Sequence, residues 1–367
     1  MKYLYLIIAA VVMLSLVSCD RFDHEQTPIN FNAELFLPLQ NALNAASQDS
    51  LDAVMAFYDD EYLHDAVNKA QRRDFYNSLF VLYGDDISFS TVFSSYNAND
   101  QSVSWELQVF APAVKTPVRT VAFTNEKLVR NGDQWTFYGD RIIDLVQGDR
   151  QRVIIESFTY TTCPNCPLVE EVMHSLQAQY PAQFSYMEYH MGDALDIGNS
   201  DIFSYYGYSA MPASVFQGME KRIGANPETL EAYIAFVNNM VTATPTMHLN
   251  DLDYSFSGQT LYGSVTLEPT SGTIDPTNLR LRYALIEKVS ALTNSAGVPC
   301  TNVVLAKGSL DISGNDLNQP VTFSLPFTGT LPSDTSLVIF AQKMPTPFTN
   351  NAPIYNGLEI PVTVPAR

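Results

Sequence analysis

Positive charge is scarce in this chain. Its 367 residues carry 20 Lys and Arg against 39 Asp and Glu, a formal net charge of −19 with a pI near 4.5. Phosphate backbones are held by clustered Lys and Arg, so nucleic acid is not an expected partner, and the acidity reads as solubility. Cysteine is scarce as well, with four residues and one close pair. No second C-x-x-C and no Cys/His pair at zinc spacing accompanies it, which argues against a zinc site. Apolar runs long enough to span a bilayer, about 20 residues, are missing too; Tyr3 to Leu16 is the nearest approach. Charged residues make up 16% and hydrophobic ones 46%, a composition of folded domains rather than disorder. The length calls for two or three of them. No cofactor is expected.

Lys2 followed by the apolar run reads as a targeting segment, to be left out of fold reasoning. The run ends in Leu16-Val17-Ser18-Cys19, which resembles the lipobox of bacterial lipoproteins. That resemblance implies cleavage before Cys19 and lipidation of its thiol and new amino group, with the membrane as a partner through that lipid. A plain secretory signal with an incidental Cys is the other reading. Residues 1–18 are then a signal peptide and residues 19–30 a lipidated polar tether. The expected compartment is the cell envelope, with the outer membrane favoured over the inner. Disulfides persist outside the cytoplasm.

Residues 31–147 read as an α+β unit. Ala33 to Gln48, Ser50 to His64 and Ala66 to Tyr83 read as helices, with Ser50 as an N-cap. Val103, Trp105, Leu107 and Val109 then alternate with polar residues as a half-buried strand, and Asn131-Gly132 marks a tight hairpin. The ending from Glu126 to Gly139 resembles the closing hairpin of nuclear-transport-factor-2-like folds, implying a cone-like spacer or binding module. No acid–base pair stands out. His64, beside Asp59, Asp60 and Glu61, is expected at a solvated helix end.

The middle segment, residues 148–243, carries the chemistry. A linker is expected at Val146 to Asp149, then a strand from Arg152 to Phe158, then Cys163-Pro-Asn-Cys166-Pro167. A helix follows, with Leu168, Val169, Val172, Met173, Leu176 and Tyr180 on its apolar stripe and Glu170, Glu171, His174 and Gln177 opposite. A thiol at a helix N-terminus is stabilised as thiolate by unpaired N–H groups and the dipole. Beyond lie a strand at Phe184 to Met191, a short helix at Ile202 to Tyr206, Met211-Pro212, a hairpin, and a helix capped by Asn226 with Pro227 first. The C-x-x-C and Met211-Pro212 within this order resemble the thioredoxin fold. The resemblance implies an α/β domain with Cys163 as the attacking thiolate nearer the surface and Cys166 as the resolving thiol. It also implies a cis bond at Pro212, with the backbone of Met211 docking substrate. Two family features are absent: Thr162 stands where Trp is frequent, and Ser157 where a buried acid is frequent. Proton transfer at Cys166 therefore needs water or another group, with His190 and Tyr160 as candidates. The pair could also be a static disulfide, a vestige on a binding scaffold, or a soft-metal site with Met211 or His190.

After Thr242 to Pro245, residues 244–367 show strands and turns only, expected as an all-β sandwich. Leu279, Leu281, Tyr283 and Leu285 alternate there with Arg280 and Arg282. Cys300 has no obvious partner and reads as a buried free thiol, with transient pairing to Cys163 as the other possibility. The lipobox, the run Ile154 to Thr159, the dithiol and the all-β ending together resemble bacterial lipoproteins related to the twenty-eight-kilodalton-class outer membrane protein. The expected function is a lipid-anchored envelope thiol–disulfide oxidoreductase, its partners envelope protein thiols or disulfides and an unidentified redox partner. The alternative is a non-catalytic surface or assembly lipoprotein.

Overall fold

A computed structural model describes residues 29–363, except 49, 113, 133, 143–149, 271, 273 and 350. The signal segment, Cys19, most of the tether and the linker expected at 146–149 lie outside the described residues.

The chain opens with a π-helical turn, Asn32–Phe36, running into α1 (Leu37–Asn44), then α2 (Asp52–Met55), the two-residue strands β1 (Leu63–His64) and β2 (Val67–Asn68), and α3 (Lys69–Tyr83). A four-stranded antiparallel meander follows: β3 (Ser88–Asn97), β4 (Ser102–Phe110), β5 (Arg119–Asn131) and β6 (Gln134–Phe137). The alternation in β4 is realised, with Val103, Trp105, Leu107 and Val109 all buried. The β5–β6 hairpin closes at Asn131↔Gln134, and Gly132 takes the positive φ the turn requires. The centre of this unit is filled by side chains: Tyr62 and Trp105 both donate to Glu126, at 2.7 and 2.6 Å, and Arg72 donates to Tyr62.

Two helices expected here are shorter than their sequence pattern. The helix from Ser50 to His64 reduces to α2, because the chain beyond it is captured by a strand edge. Phe137 N donates to Phe57 O at 2.8 Å and Asp59 N donates to Phe137 O at 2.9 Å. Ser50 is not its cap; Leu51 holds that position without a side-chain bond, and Ser50 Oγ instead accepts from Ser47 N. The helix expected from Ala66 starts at Lys69. Asp65 and Ala66 sit at φ +51° and +60°, and Asn68 and Gln71 form a reciprocal capping box.

The remaining elements are β7 (Val153–Thr159), α4 (Cys166–Gln179), β8 (Phe184–His190), α5 (Ser200–Tyr205), β9 (Ala213–Phe216), β10 (Glu220–Ile223) and α6 (Pro227–Met240). Seven strands complete the chain: β11 (Met247–Ser257), β12 (Thr260–Pro269), β13 (Leu279–Thr293), β14 (Pro299–Asp311), β15 (Pro320–Pro326), β16 (Thr335–Lys343) and β17 (Ile354–Pro361). The protein is thus a mixed α and β, strand-rich molecule. Asn226 caps α6 through Thr229 N, and Tyr233, Ile234 and Val237 bury its apolar face.

One sheet crosses the expected boundary at 243/244. Its order is β10-β9-β7-β8-β14-β13-β16-β17, with β14 joining β8 in parallel at Val303↔Glu188. On one face, Ile154, Phe158, Met187 and Tyr189 share a single core with Ala284, Ile286, Val338 and Phe340. The other face is covered by α4 and α6 over its first half and by the three-stranded sheet β11-β12-β15 over its second. Arg282, which the alternation in β13 assigns to a polar surface, is buried against this junction. Its guanidinium grips Glu156 of β7 at 2.5 and 2.8 Å, and Tyr206 donates to the same carboxylate at 2.5 Å.

Candidate functional site

The fully buried strand β7 ends at Thr159, and a six-residue loop leads directly into α4. Cys163 lies in that loop and Cys166 is the first residue of the helix. Their sulfurs are joined, with Cα atoms 5.5 Å apart. Asn165 occupies the N-cap position without a side-chain bond, so the orphan N–H groups of the first turn stay directed towards the dithiol end. The Met211–Pro212 bond is cis. Strand β9 begins at the next residue and pairs antiparallel with β7, Ala213 opposite Phe158. Pro212 therefore lies at the same end of the sheet as the dithiol loop. Pro212 is buried and Met211 partly so.

Cys163 was expected nearer the surface. It is 1% exposed, no more open than Cys166 at 2%. The cover comes from the turn between β13 and β14. There Ser295 Oγ donates to Cys163 O at 2.6 Å and Asn294 Nδ2 donates to the Glu170 carboxylate at 2.5 Å. The same hairpin changes the faces of α4. Glu170, expected on the polar side, is buried, whereas Leu168, expected on the apolar stripe, is 43% exposed. His174 Nε2 meets Thr301 Oγ1 at 2.7 Å, and Asn302 donates to Gln177. A polar helix face covered from more than 120 residues downstream cannot be read from local periodicity.

Beneath the loop lies a cluster of buried ionisable groups. Ser157, six residues before Cys163, meets Ser214 Oγ at 3.1 Å, and in register its neighbour on β8 is Glu188. Glu188 is buried with neither oxygen hydrogen-bonded. Burial pushes its carboxyl up to about 7, with His190 working in the opposite direction. His190 Nδ1 stands 2.8 Å from Asp193 Oδ2, and its Nε2 3.6 Å from Glu188 Oε2. Burial pulls its imidazolium down, but contacts with Cys300, Glu188 and Asp193 outweigh this and carry its pKa to about 10. Cys300 is a free thiol with no exposed surface. Burial also raises Glu170 from the opposite wall, with the Asn294 bond opposing. Tyr160 contributes a carbonyl, accepting from Cys163 N at 3.0 Å. A buried acid thus lies one strand away from Ser157. Its signal in the sequence was parity: Glu188 and His190 share the strand face of Phe184 and Tyr186, which is a core face.

His64 is not at a solvated helix end. It lies on β1, 2% exposed, with Asp65 and Asp140 rather than Asp59, Asp60 or Glu61 beside it. Cys19 lies outside the described residues. Among the described residues no helix is long and apolar enough to cross a membrane.

No family model matches the chain, and no curated protein matches it. Among solved structures, HBP35 of Porphyromonas gingivalis aligns over 59% of this chain and 76% of its own, at 16% identity and a TM-score of 0.46. A thioredoxin of Malassezia sympodialis aligns over 26% of this chain and 82% of its own, at 24% identity and a TM-score of 0.20. A DUF3823 family protein of Bacteroides uniformis covers 33% of this chain and 57% of its own, at 12% identity and a TM-score of 0.21. Likenesses at these scores assign no activity.

Proposed function

We propose that residues 148–243 are a thioredoxin-like unit exchanging thiols and disulfides through Cys163 and Cys166, in a protein held at the cell envelope by lipid on Cys19. The observation that carries the reading is a closed dithiol at the start of α4, above a buried Glu188–His190 pair on the same side of the sheet. In the reducing direction, the Cys163 thiolate attacks a substrate disulfide. One mixed disulfide forms and one substrate thiolate leaves. The Cys166 thiolate then displaces the second substrate sulfur, closing the Cys163–Cys166 bond and moving two electrons to the substrate. The proton released from Cys166 needs a buried acceptor, and a carboxylate lifted to about 7 is matched to that task. Met211 and Pro212 would form the wall for an extended peptide, with envelope protein thiols or disulfides as substrates and an unidentified redox partner.

The burial of both sulfurs favours a second reading, a structural disulfide in a non-catalytic envelope lipoprotein used for binding or assembly. The two part in a redox titration of the intact protein in defined glutathione buffers. Exchange activity requires the pair to equilibrate above about −300 mV; a pair that stays oxidised below that value is a brace, and the enzymatic reading fails.

A further inference from the structure

The strongest unassigned feature lies away from the dithiol, where the N-terminal unit meets the middle segment. The turn after β1 and the segment after β6 are laced together by backbone bonds. Leu63 N donates to Tyr138 O, Arg141 N to Leu63 O and Ala66 N to Ile142 O, all within 3.0 Å. Gly139, at φ +85°, makes this approach possible, since a Cβ there would collide with the Leu63 carbonyl. The result brings His64, Asp65 and Asp140 together, with one ligand atom from each lying within 4.8 Å of the others.

Asp140 has one oxygen anchored and the other beside His64, whereas Asp65 shares one oxygen between Arg150 and His64 and leaves the other unpaired. Asp140 Oδ1 accepts from Asp65 N at 3.1 Å and Ile142 N at 2.9 Å, while Oδ2 stands 3.3 Å from His64 Nδ1. Asp65 Oδ2 holds Arg150 at 2.9 Å and stands 3.8 Å from His64 Nε2, while its buried Oδ1 has no partner. His64 is 2% exposed, and neither ring nitrogen makes a hydrogen bond of acceptable geometry. A buried imidazole whose nitrogens have only carboxylate contacts at 3.3 and 3.8 Å, and no hydrogen bond, is costly unless something else meets them. Side chains pre-oriented by outer contacts, with one donor atom from each within 4.8 Å of the others, have the form of a ligand set.

We propose that His64, Asp65 and Asp140 bind a divalent transition-metal ion. One nitrogen and two oxygen donors suit a borderline ion such as Zn²⁺, Co²⁺, Fe²⁺ or Mn²⁺, with ligand bonds of about 2.0–2.2 Å. Two carboxylates against one neighbouring guanidinium leave the site attractive to a cation. Three protein ligands leave coordination positions over, and His64 and Asp65 both line a cleft of about 380 Å³, together with Arg150, Phe123, Gln183 and Asn238. The site is therefore of the open kind, able to present the ion to a small polar molecule entering the cleft. It is independent of the redox reading, because none of its ligands belongs to the dithiol region.

The test is a Co²⁺ titration of the full chain with the dithiol kept oxidised, so that joined sulfurs cannot supply the ligands. One equivalent should bind, with visible d–d absorption. His64→Gln and Asp140→Asn should each weaken it by at least about tenfold; the Asn keeps the Oδ1 that the backbone amides use. Should either variant fail to fold, Mn²⁺ added to the wild type must broaden the ring resonances of His64 before those of His174, His190 or His248. Absence of binding at millimolar Co²⁺, undiminished binding by both folded variants, or broadening centred on another histidine overturns the proposal.

Discussion

Glu156 and Glu188 occupy adjacent strands of one sheet, one register position apart and on opposite faces, and both are buried. Their surroundings differ completely. Glu156 receives two guanidinium bonds from Arg282 and a hydroxyl from Tyr206, and Gln342 closes the network by accepting from Arg282 and donating to Tyr206. Glu188 makes no hydrogen bond of good geometry, and His190 Nε2 stands 3.6 Å from it. A satisfied buried charge network fixes geometry, here the docking of β13 onto the middle segment. An under-satisfied one keeps a proton in play, and such groups cluster where chemistry is done. The contrast separates the face that holds the sheet together from the face that lies beneath the dithiol.

The largest expected effect attacks the satisfied side. Arg282→Met leaves the Glu156 carboxylate buried without its partner, which costs about 3–5 kcal/mol. Urea unfolding should show this as a lowered midpoint, and adding Glu156→Met should recover much of the loss. A single-variant cost below about 1 kcal/mol would mean that the junction does not depend on this network.

The next effect lies in pH. The folded pKa of His190 is raised from the usual 6.5 to about 10, so its stabilisation is complete below about 6.5 and is lost as pH rises towards 10. Glu188 is an acid raised to about 7, so its ionisation costs stability between about 4.5 and 7. Both slopes run the same way: the contribution of this pair falls with rising pH across the whole window, opposed below about 6.5 by His174, whose pKa burial lowers. His190→Gln should flatten the upper part and Glu188→Gln the lower, measured as unfolding midpoints against pH. If stability rises with pH between 5 and 9 the assignment of these charges is wrong, and the contrast with Glu156 goes with it.

The sequence made the local features legible and hid the long-range ones. The strand β7, the helix start at the dithiol, the Asn226 cap and the Asn131-Gly132 hairpin follow from residues within a few positions of each other. Arg282 at a buried junction, Glu170 under a hairpin and Glu188 beside Ser157 each depend on a strand brought from farther along the chain. Periodicity tells which face a residue shares, not what will cover that face. The shortened α2 has the same origin, since the pull of the β6 edge on Phe57 and Asp59 outweighs helix propensity. Domain boundaries suffer most: a linker composition at Thr242 to Pro245 marks where the helical layers end but not that β14 will extend the sheet of β7 and β8.

The smallest perturbation tests whether the dithiol is shut in by the β13–β14 turn. Ser295→Ala removes the hydroxyl that bonds Cys163 O, at a cost of about 0.5–1.5 kcal/mol, and leaves the Asn294–Glu170 contact in place. Global stability should fall by no more than that, whereas reduction of the disulfide by dithiothreitol should accelerate if the turn has to lift before a thiolate reaches Cys163 Sγ. A rate unchanged in Ser295→Ala and again in Asn294→Ala would mean that the β13–β14 turn does not gate the dithiol. The route in would then run past Met211, the partly exposed residue beside Pro212. If the turn does gate it, displacement of the hairpin would control access to the disulfide. The thirteen-residue β14 that places Thr301 on His174 and Cys300 beside His190 would then be the element through which that control is felt.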